Sequence, residues 1–223
     1  LTTGPSLSGA MGFDSVDGRL IFYGGGEVHA LAGASWTELA TGQTDMRGHQ
    51  AIENLATGRV EFICGEDGDN FFPELRTWDG TQLVVGPASP APRHDCAAAW
   101  DPLERHVVTH GGLFTPGIGL PNPDTSNTVL VLDEGADDWA LIPNAISTPG
   151  HRNPSTEVFY DHVRERTVIH KVFGGNFLSF DTLLWDGRQS VTLPGQIEVE
   201  PFFDGARSVA VSPDFAVLDD GAG

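Results

Sequence analysis

The sequence is poor in positive charge and lacks long apolar runs. Its 223 residues carry 12 lysines and arginines against 31 aspartates and glutamates, which gives a formal net charge of −19 at pH 7. A field of that sign repels nucleic-acid phosphates and anionic membrane surfaces, so we expect no nucleic-acid partner. No apolar run approaches the roughly 20 residues that a membrane-spanning helix needs, and we therefore expect no membrane insertion.

Cysteine is scarce as well, with only Cys64 and Cys96 present. Two cysteines define no disulfide framework and supply no metal cage. The repeat described below places them in adjacent units toward one face, so a single bridge is one interpretation, subject to the geometric limits on disulfides. Two separate buried thiols are the other, and we favour it.

Signatures of catalysis and of cofactor binding are absent from the sequence. It contains no G-x-S-x-G motif, no P-loop and no dinucleotide fingerprint. No histidine pair among His106, His110 and His170 stands with a cysteine or carboxylate at metal-ligand spacing. The acidic segment 66–70 lacks the spacing and the distal glutamate of a calcium loop, so we predict an acidic turn there. We predict no catalytic residue, no cofactor and no metal site.

What the chain does contain is many turn formers and a repeated unit. Glycine occurs 28 times and proline 15 times, which favours many tight turns over long helices. In each unit a small polar residue closes one apolar strand and precedes a turn and a second apolar strand. These closing residues are Asp14, Asn54, Asp101, Asp161 and Ser212, at spacings of 40, 47, 60 and 51 residues. Periods of this length are typical of four-stranded propeller blades with variable loops.

The second half of the unit recurs too. Segments 76–80 and 183–187 both end in Trp-Asp-Gly, where an Asp-Gly pair suits a turn. A further short segment with tryptophan at its start follows at 36–39 and at 139–142. All these segments are short, rich in β-branched and aromatic residues and bounded by turn residues, so they predict strands. The fold class is therefore all-β.

This order of elements resembles the bacterial kelch-repeat β-propeller family, of the type found in the central propeller of galactose oxidase. The shared features are a strand ending in aspartate, a strand ending in Gly-Gly, then Trp-Asp-Gly and Trp-x-x-Leu. The resemblance implies a single domain, residues 1–223, with about four and a half four-stranded blades. The expected blades are 7–42, 46–87, 91–146, 149–195 and a partial one at 201–223. Because the terminal units lack strands, we expect a fragment of a larger propeller rather than a closed five-bladed ring.

The resemblance also implies a role. Family members usually bind protein or carbohydrate, so we expect a non-catalytic binding scaffold in an extracellular or cell-surface setting. Some kelch propellers are copper-radical oxidases, which need a set of tyrosine and histidine ligands for copper. Tyr23 and Tyr160 are the only tyrosines here, and both fall at ordinary strand positions, so we exclude that activity for this segment. One alternative is part of an enzyme, such as a glycoside hydrolase or an oxidase, whose site is completed by further blades. A second alternative is a purely structural segment of a large exported protein.

The candidate ligand-binding residues lie where first strands begin, near the mouth of the expected channel. Basic residues recur there in a chain that has few of them, which suggests a local anion-binding ring. The alternative is that each arginine bonds backbone carbonyls and fixes the spacing of the blades. The long loop 113–124 is expected on the same face, either as a binding loop or as a surface insertion. The candidate residues are Arg47, His49, Arg93, His94, His151, Arg152 and Arg207.

Overall fold

The computed structural model describes residues 5, 9–68, 70–114, 128–142, 155–163, 165–173, 179–187, 190–192, 211–212 and 215–216. Within these ranges all regular structure is β-strand, so the all-β fold class is confirmed. None of the described segments forms a helix of the length and apolarity required to cross a bilayer.

The described strands form four antiparallel sheets of four strands, each in the order of the sequence, and one two-stranded pair. The first sheet contains β1 (Ala10–Asp14), β2 (Arg19–Gly24), β3 (Glu27–Ala32) and β4 (Ser35–Ala40). The second contains β5 (Gln50–Asn54), β6 (Arg59–Ile63), β7 (Glu74–Trp78) and β8 (Leu83–Ala88). The third contains β9 (Arg93–Asp101), β10 (His106–Phe114), β11 (Val129–Asp133) and β12 (Ala140–Ile142). The fourth contains β13 (Ser155–Asp161), β14 (Arg166–Phe173), β15 (Ser179–Trp185) and β16 (Ser190–Thr192), and β17 (Val211–Ser212) pairs with β18 (Phe215–Ala216).

In all four large sheets, the residue that closes the first strand accepts a hydrogen bond from the backbone N–H two residues later. The Asp14 carboxylate accepts hydrogen bonds from the backbone N–H groups two and three residues later, both at 3.1 Å. Asn54 accepts the equivalent pair at 3.0 and 3.3 Å, and Asp101 accepts them at 3.0 and 3.1 Å. Asp161 accepts the first at 2.8 Å. Short polar side chains that bond backbone amides in this way stabilise turns, which explains why the sequence repeats at these positions.

Successive sheets contact each other through their first strands, with β1 beside β5, β5 beside β9 and β9 beside β13. The turn residues also link neighbouring sheets. Arg59 Nη1 of the second sheet donates to Asp14 Oδ2 at 2.9 Å, and Thr167 Oγ1 of the fourth donates to Asp101 Oδ2 at 2.8 Å. One apolar cluster fills each space between successive sheets. The core is thus divided into layers between sheets.

The two cysteines are joined in a disulfide, so the favoured interpretation of two separate thiols was wrong. Cys64 follows the end of β6 and Cys96 lies in β9, and their Cα atoms are 6.2 Å apart. The backbone of Cys64 has a φ of 63°. Both residues are buried in the cluster between the second and third sheets. Packing these two sheets brings the cysteines within the distance that a bridge requires.

A buried glutamate gives the second sheet a predictable pH response. Glu61 is 5% exposed, and its Oε1 accepts a 2.8 Å hydrogen bond from Asn54 Nδ2. Burial raises the pKa of Glu61 above its ordinary value of 4.5. A raised folded-state pKa means that this group stabilises the fold most when protonated, and that this contribution is lost as the pH rises through the raised value.

We therefore expect Glu61→Gln to increase the free energy of unfolding at pH 7, because the amide is neutral at every pH. The gain over the wild type should shrink as the pH falls from the raised pKa toward 4.5 and should vanish below 4.5, where both side chains are uncharged. Urea unfolding of both proteins at several pH values measures this difference in the free energy of unfolding. A pH-independent difference between the two would contradict the assignment.

Candidate functional site

Three loop segments meet at the edge of the sheets where β6 ends and where β5 and β9 begin. The backbones of Arg47 and Glu66 exchange two hydrogen bonds, of 2.8 and 2.9 Å. Gly65 N–H donates to the carbonyl of Arg93 at 2.9 Å, and Asp95 N–H donates to the carbonyl of Gly48 at 2.7 Å. With the disulfide beside them, these bonds fix the three segments relative to one another.

Backbone geometry at this edge is tight. Asp95 adopts a φ of 53°, which L-residues seldom adopt. Gly48 has a φ of 59°, a left-handed conformation that favours glycine, and a Cβ atom there would lie 2.6 Å from Asp95 Oδ1 and would displace that carboxylate. Left-handed non-glycine residues are often found where a binding site has to be held in one shape.

The side chains at this edge form what we call the Arg47–His94 cluster, made of Arg47, Glu66, Phe71, His94 and Asp95. His94 lies between two carboxylates, with Nδ1 2.9 Å from Asp95 Oδ2 and Nε2 4.0 Å from Glu66 Oε2. The ring of Phe71 is 4.8 Å from the His94 ring, centroid to centroid. The Arg47 side chain is 61% exposed. The cluster therefore combines an aromatic ring, hydrogen-bond donors from a guanidinium and an imidazole, and carboxylate acceptors.

The charge at the cluster is mixed rather than positive. Arg47 Nη2 donates to Asp45 Oδ2 at 3.1 Å, and two carboxylates accompany His94. The described part of the edge therefore suits a neutral polar ligand better than a multiply charged anion. The assignment of Arg47 and His94 to ligand binding stays a prediction.

Arg93 is placed in the interior, where it bonds the backbone. It is 2% exposed; Nη1 donates to the carbonyl of Gly111 at 2.8 Å and Nη2 donates to Thr128 Oγ1 at 3.3 Å. Burial lowers the pKa of Arg93 to about 9, which still leaves it protonated at neutral pH. These contacts hold the end of β10 and the residue before β11 together. They match the alternative in which an arginine bonds carbonyls and fixes the scaffold.

His49 is also interior. Its Nε2 lies 2.9 Å from the Tyr23 carbonyl oxygen and 3.3 Å from the Ala10 backbone nitrogen, and its ring packs 5.2 Å from Tyr23 and 5.9 Å from Phe62. Burial lowers the pKa of His49 below its ordinary value of 6.5, so the imidazole is neutral near pH 7. His49 therefore joins the first and second sheets. His151, Arg152 and Arg207 lie outside the described residues, as do residues 115–127 of the long loop.

The acidic segment at 66–70 contains a closed turn around Asp67. Asp67 Oδ1 accepts from the Asn70 N–H at 2.8 Å, and the Asp67 N–H donates to the Asn70 carbonyl at 3.1 Å. These bonds are those of a side chain capping its own turn, in agreement with the predicted acidic turn.

Two cavities lie at the opposite edge, where first strands end and second strands begin. Their volumes are about 190 and 570 Å³, and Glu104 and Asp186 line both. His106 also lines the larger cavity; it is 3% exposed, and its Nε2 has no hydrogen-bond partner among the described residues. Its Nδ1 lies 3.6 Å from Asp133 Oδ1. We call these two adjoining cavities the acidic recess. It was missed in the sequence because its shared carboxylates, Glu104 and Asp186, come from turns of two different sheets.

Sequence reasoning also missed a group of metal-ligand type on the first sheet. Glu27, His29 and Glu38 each offer one ligand atom, and these atoms all lie within 4.8 Å of one another. A Glu-x-His pair on one strand was a usable signal, because residues two apart on a strand share a face.

Comparison with known proteins reveals similarity in fold only. The sequence matches no protein-family model, and no curated protein is similar enough to count as a relative. Among solved structures, an auxiliary nutrient binding protein from Bacteroides thetaiotaomicron is similar, with a TM-score of 0.54 and 10% sequence identity. The match covers 86% of this chain and 43% of that protein, so the chain spans less than half of its length.

Proposed function

We propose that this chain is part of a kelch-type β-propeller that acts as a non-catalytic binding module for a carbohydrate or protein ligand. Four-stranded meanders that follow one another along the chain and pack through their first strands support a blade arrangement. The blades would span 7–42, 46–87, 91–146 and 149–195, with a partial blade at 201–223. The binding function of the structurally similar nutrient binding protein is in keeping with this proposal.

The ligand site that we propose is the Arg47–His94 cluster. The observation that carries this proposal is that aromatic, donor and acceptor side chains stand together on loop segments whose backbones are hydrogen-bonded to one another. Phe71 is half-buried and its ring lies against the His94 ring, so part of the Phe71 side chain is exposed to solvent. Sugars present C–H faces that pack on aromatic rings and hydroxyls that both donate and accept hydrogen bonds. The side chains of Arg47, Glu66 and Asp95 provide the complementary groups. Loops on a rigid scaffold commonly carry such sites.

The proposal predicts that Phe71→Ala weakens binding to oligosaccharides by about tenfold, which corresponds to 1.4 kcal/mol. Arg47→Ala should weaken it as well, because the exposed guanidinium donates to ligand oxygens. A panel of immobilised neutral and acidic oligosaccharides, probed with the whole chain, identifies the ligand, and calorimetry then gives the affinities. Phe13→Ala is the matched control, since Phe13 is 45% exposed on β1, outside the cluster.

Three other outcomes would change the proposed site, ligand or function. Binding that is insensitive to Phe71→Ala and Arg47→Ala would move the site elsewhere, for example to the recess around His106. Absence of binding across the panel would favour a protein ligand. Cleavage of any oligosaccharide in the same incubations would favour the alternative, an enzyme. The carboxylates of Glu104 and Asp186 at the acidic recess would then be the first to replace.

A further inference from the structure

Glu27, His29 and Glu38 lie together because of the strand register. Glu27 and His29 are two residues apart on β3, so their side chains leave the same face of the first sheet. His29 pairs directly with Glu38 across β3 and β4. The pairing register shifts between Val28 and His29, since Val28 pairs with Ala40, so one additional residue of β4 is accommodated there. Such irregularities re-aim side chains and are common beside functional sites.

The surroundings of the three residues orient the imidazole. The His29 side chain is 13% exposed, and its Nε2 lies 2.9 Å from Glu27 Oε2. Phe22, its partner on β2, meets the His29 ring edge-on at 6.3 Å, centroid to centroid. Glu38 is exposed, so the cluster is open to solvent on the β4 side. The His29 ring therefore contacts an aromatic ring on the β2 side and lies near the carboxylates of Glu27 and Glu38 on β3 and β4.

The electrostatics of this cluster favour a cation. Two carboxylates held this close repel each other, and a cation between them removes that repulsion. Among the described residues, neither Glu27 nor Glu38 forms an ion pair with an arginine or lysine; the described partner of Glu27 is His29. The net charge of −19 also raises the local concentration of cations.

We infer that Glu27, His29 and Glu38 bind a divalent transition metal ion of the Zn²⁺ type. Ca²⁺ and Mg²⁺ take oxygen ligands, whereas Zn²⁺ accepts an imidazole nitrogen together with carboxylate oxygens. Three protein ligands leave a fourth position for water. The metal replaces the hydrogen bond between Glu27 and His29 and fastens the outer strand β4 to β3. This site is separate from the Arg47–His94 cluster and goes beyond the proposed function.

The test is a Zn²⁺ titration of the whole oxidised chain in competition with a chromophoric chelator. We expect one Zn²⁺ per chain, no displacement by excess Ca²⁺, and a dissociation constant at least about tenfold higher in His29→Ala. Glu38→Gln should weaken binding similarly and, because Glu38 is exposed, should retain the fold. His162→Ala, which changes an exposed histidine in the turn after β13, should bind like the wild type.

X-ray absorption at the zinc edge provides an independent readout, with nitrogen and oxygen neighbours expected at about 2.0–2.2 Å and no sulfur. The absence of saturable binding would overturn the inference. So would binding that Glu38→Gln and His29→Ala leave unchanged, or a first shell that contains sulfur. Because the carbohydrate experiment uses different residues, failure of one proposal does not imply failure of the other.

Discussion

Replacing Trp78 with alanine should lower the free energy of unfolding by about 3–5 kcal/mol, the range for truncating a buried aromatic side chain. Trp78 is fully buried between the first and second sheets, where it packs with Ile21, Tyr23 and Phe62. Removing the indole leaves a cavity that the paired strands on both sides cannot close. Urea unfolding followed by far-ultraviolet circular dichroism measures the loss.

Two further variants make the Trp78 prediction specific. Trp36→Ala, at a half-buried tryptophan on the outer strand β4, should cost clearly less than Trp78→Ala. Trp78→Phe should also cost less than Trp78→Ala, because it keeps an aromatic ring and removes an indole N–H that has no partner among the described residues. Equal losses in the free energy of unfolding for Trp78→Ala and Trp36→Ala would show that the apolar cluster between the first and second sheets is not the main source of stability there.

Replacing both cysteines with alanine should lower the free energy of unfolding by about 3–4 kcal/mol, because the bridge closes a loop of 32 residues in the unfolded chain. Cys64 and Cys96 are buried, and alanine is small and apolar, so the double variant should keep the native sheets. Denaturant midpoints of the oxidised wild type and the double variant measure the difference.

Reduction is the internal control for the disulfide prediction. A thiol reductant should lower the midpoint of the wild type toward that of the double variant and should leave the double variant unchanged. Two titratable thiols in the denatured, unreduced wild type would contradict the bridge.

The positions of the turns could be predicted from the sequence, and the contacts between sheets could not. Asp14, Asn54, Asp101 and Asp161 recur because a short polar side chain bonds the amides that follow it, and this requirement is local. The disulfide was not predictable to the same degree. Adjacent units bring two cysteines to one region, but only the packing of the sheets determines a Cα separation of 6.2 Å.

The candidate site illustrates the same division between local and non-local information. The position of Arg93 at the start of a first strand follows from the repeat, but its burial follows from a carbonyl and a hydroxyl that approach from 18 and 35 residues away. In the candidate metal site, the alternation of side chains along β3 places Glu27 and His29 on one face. The partner Glu38 depends on a shift in register, which alternation does not reveal.

The sheet-by-sheet contacts have a consequence for how the chain opens. Since the strands of each described four-stranded sheet pair only with one another and each sheet touches its sequence neighbours, stability is expected to be distributed over semi-independent cooperative units, as in repeat proteins. The covalent link between Cys64 and Cys96 merges the second and third of these units into one. Amide protons in both should then exchange with a shared opening free energy, while the first sheet opens on its own.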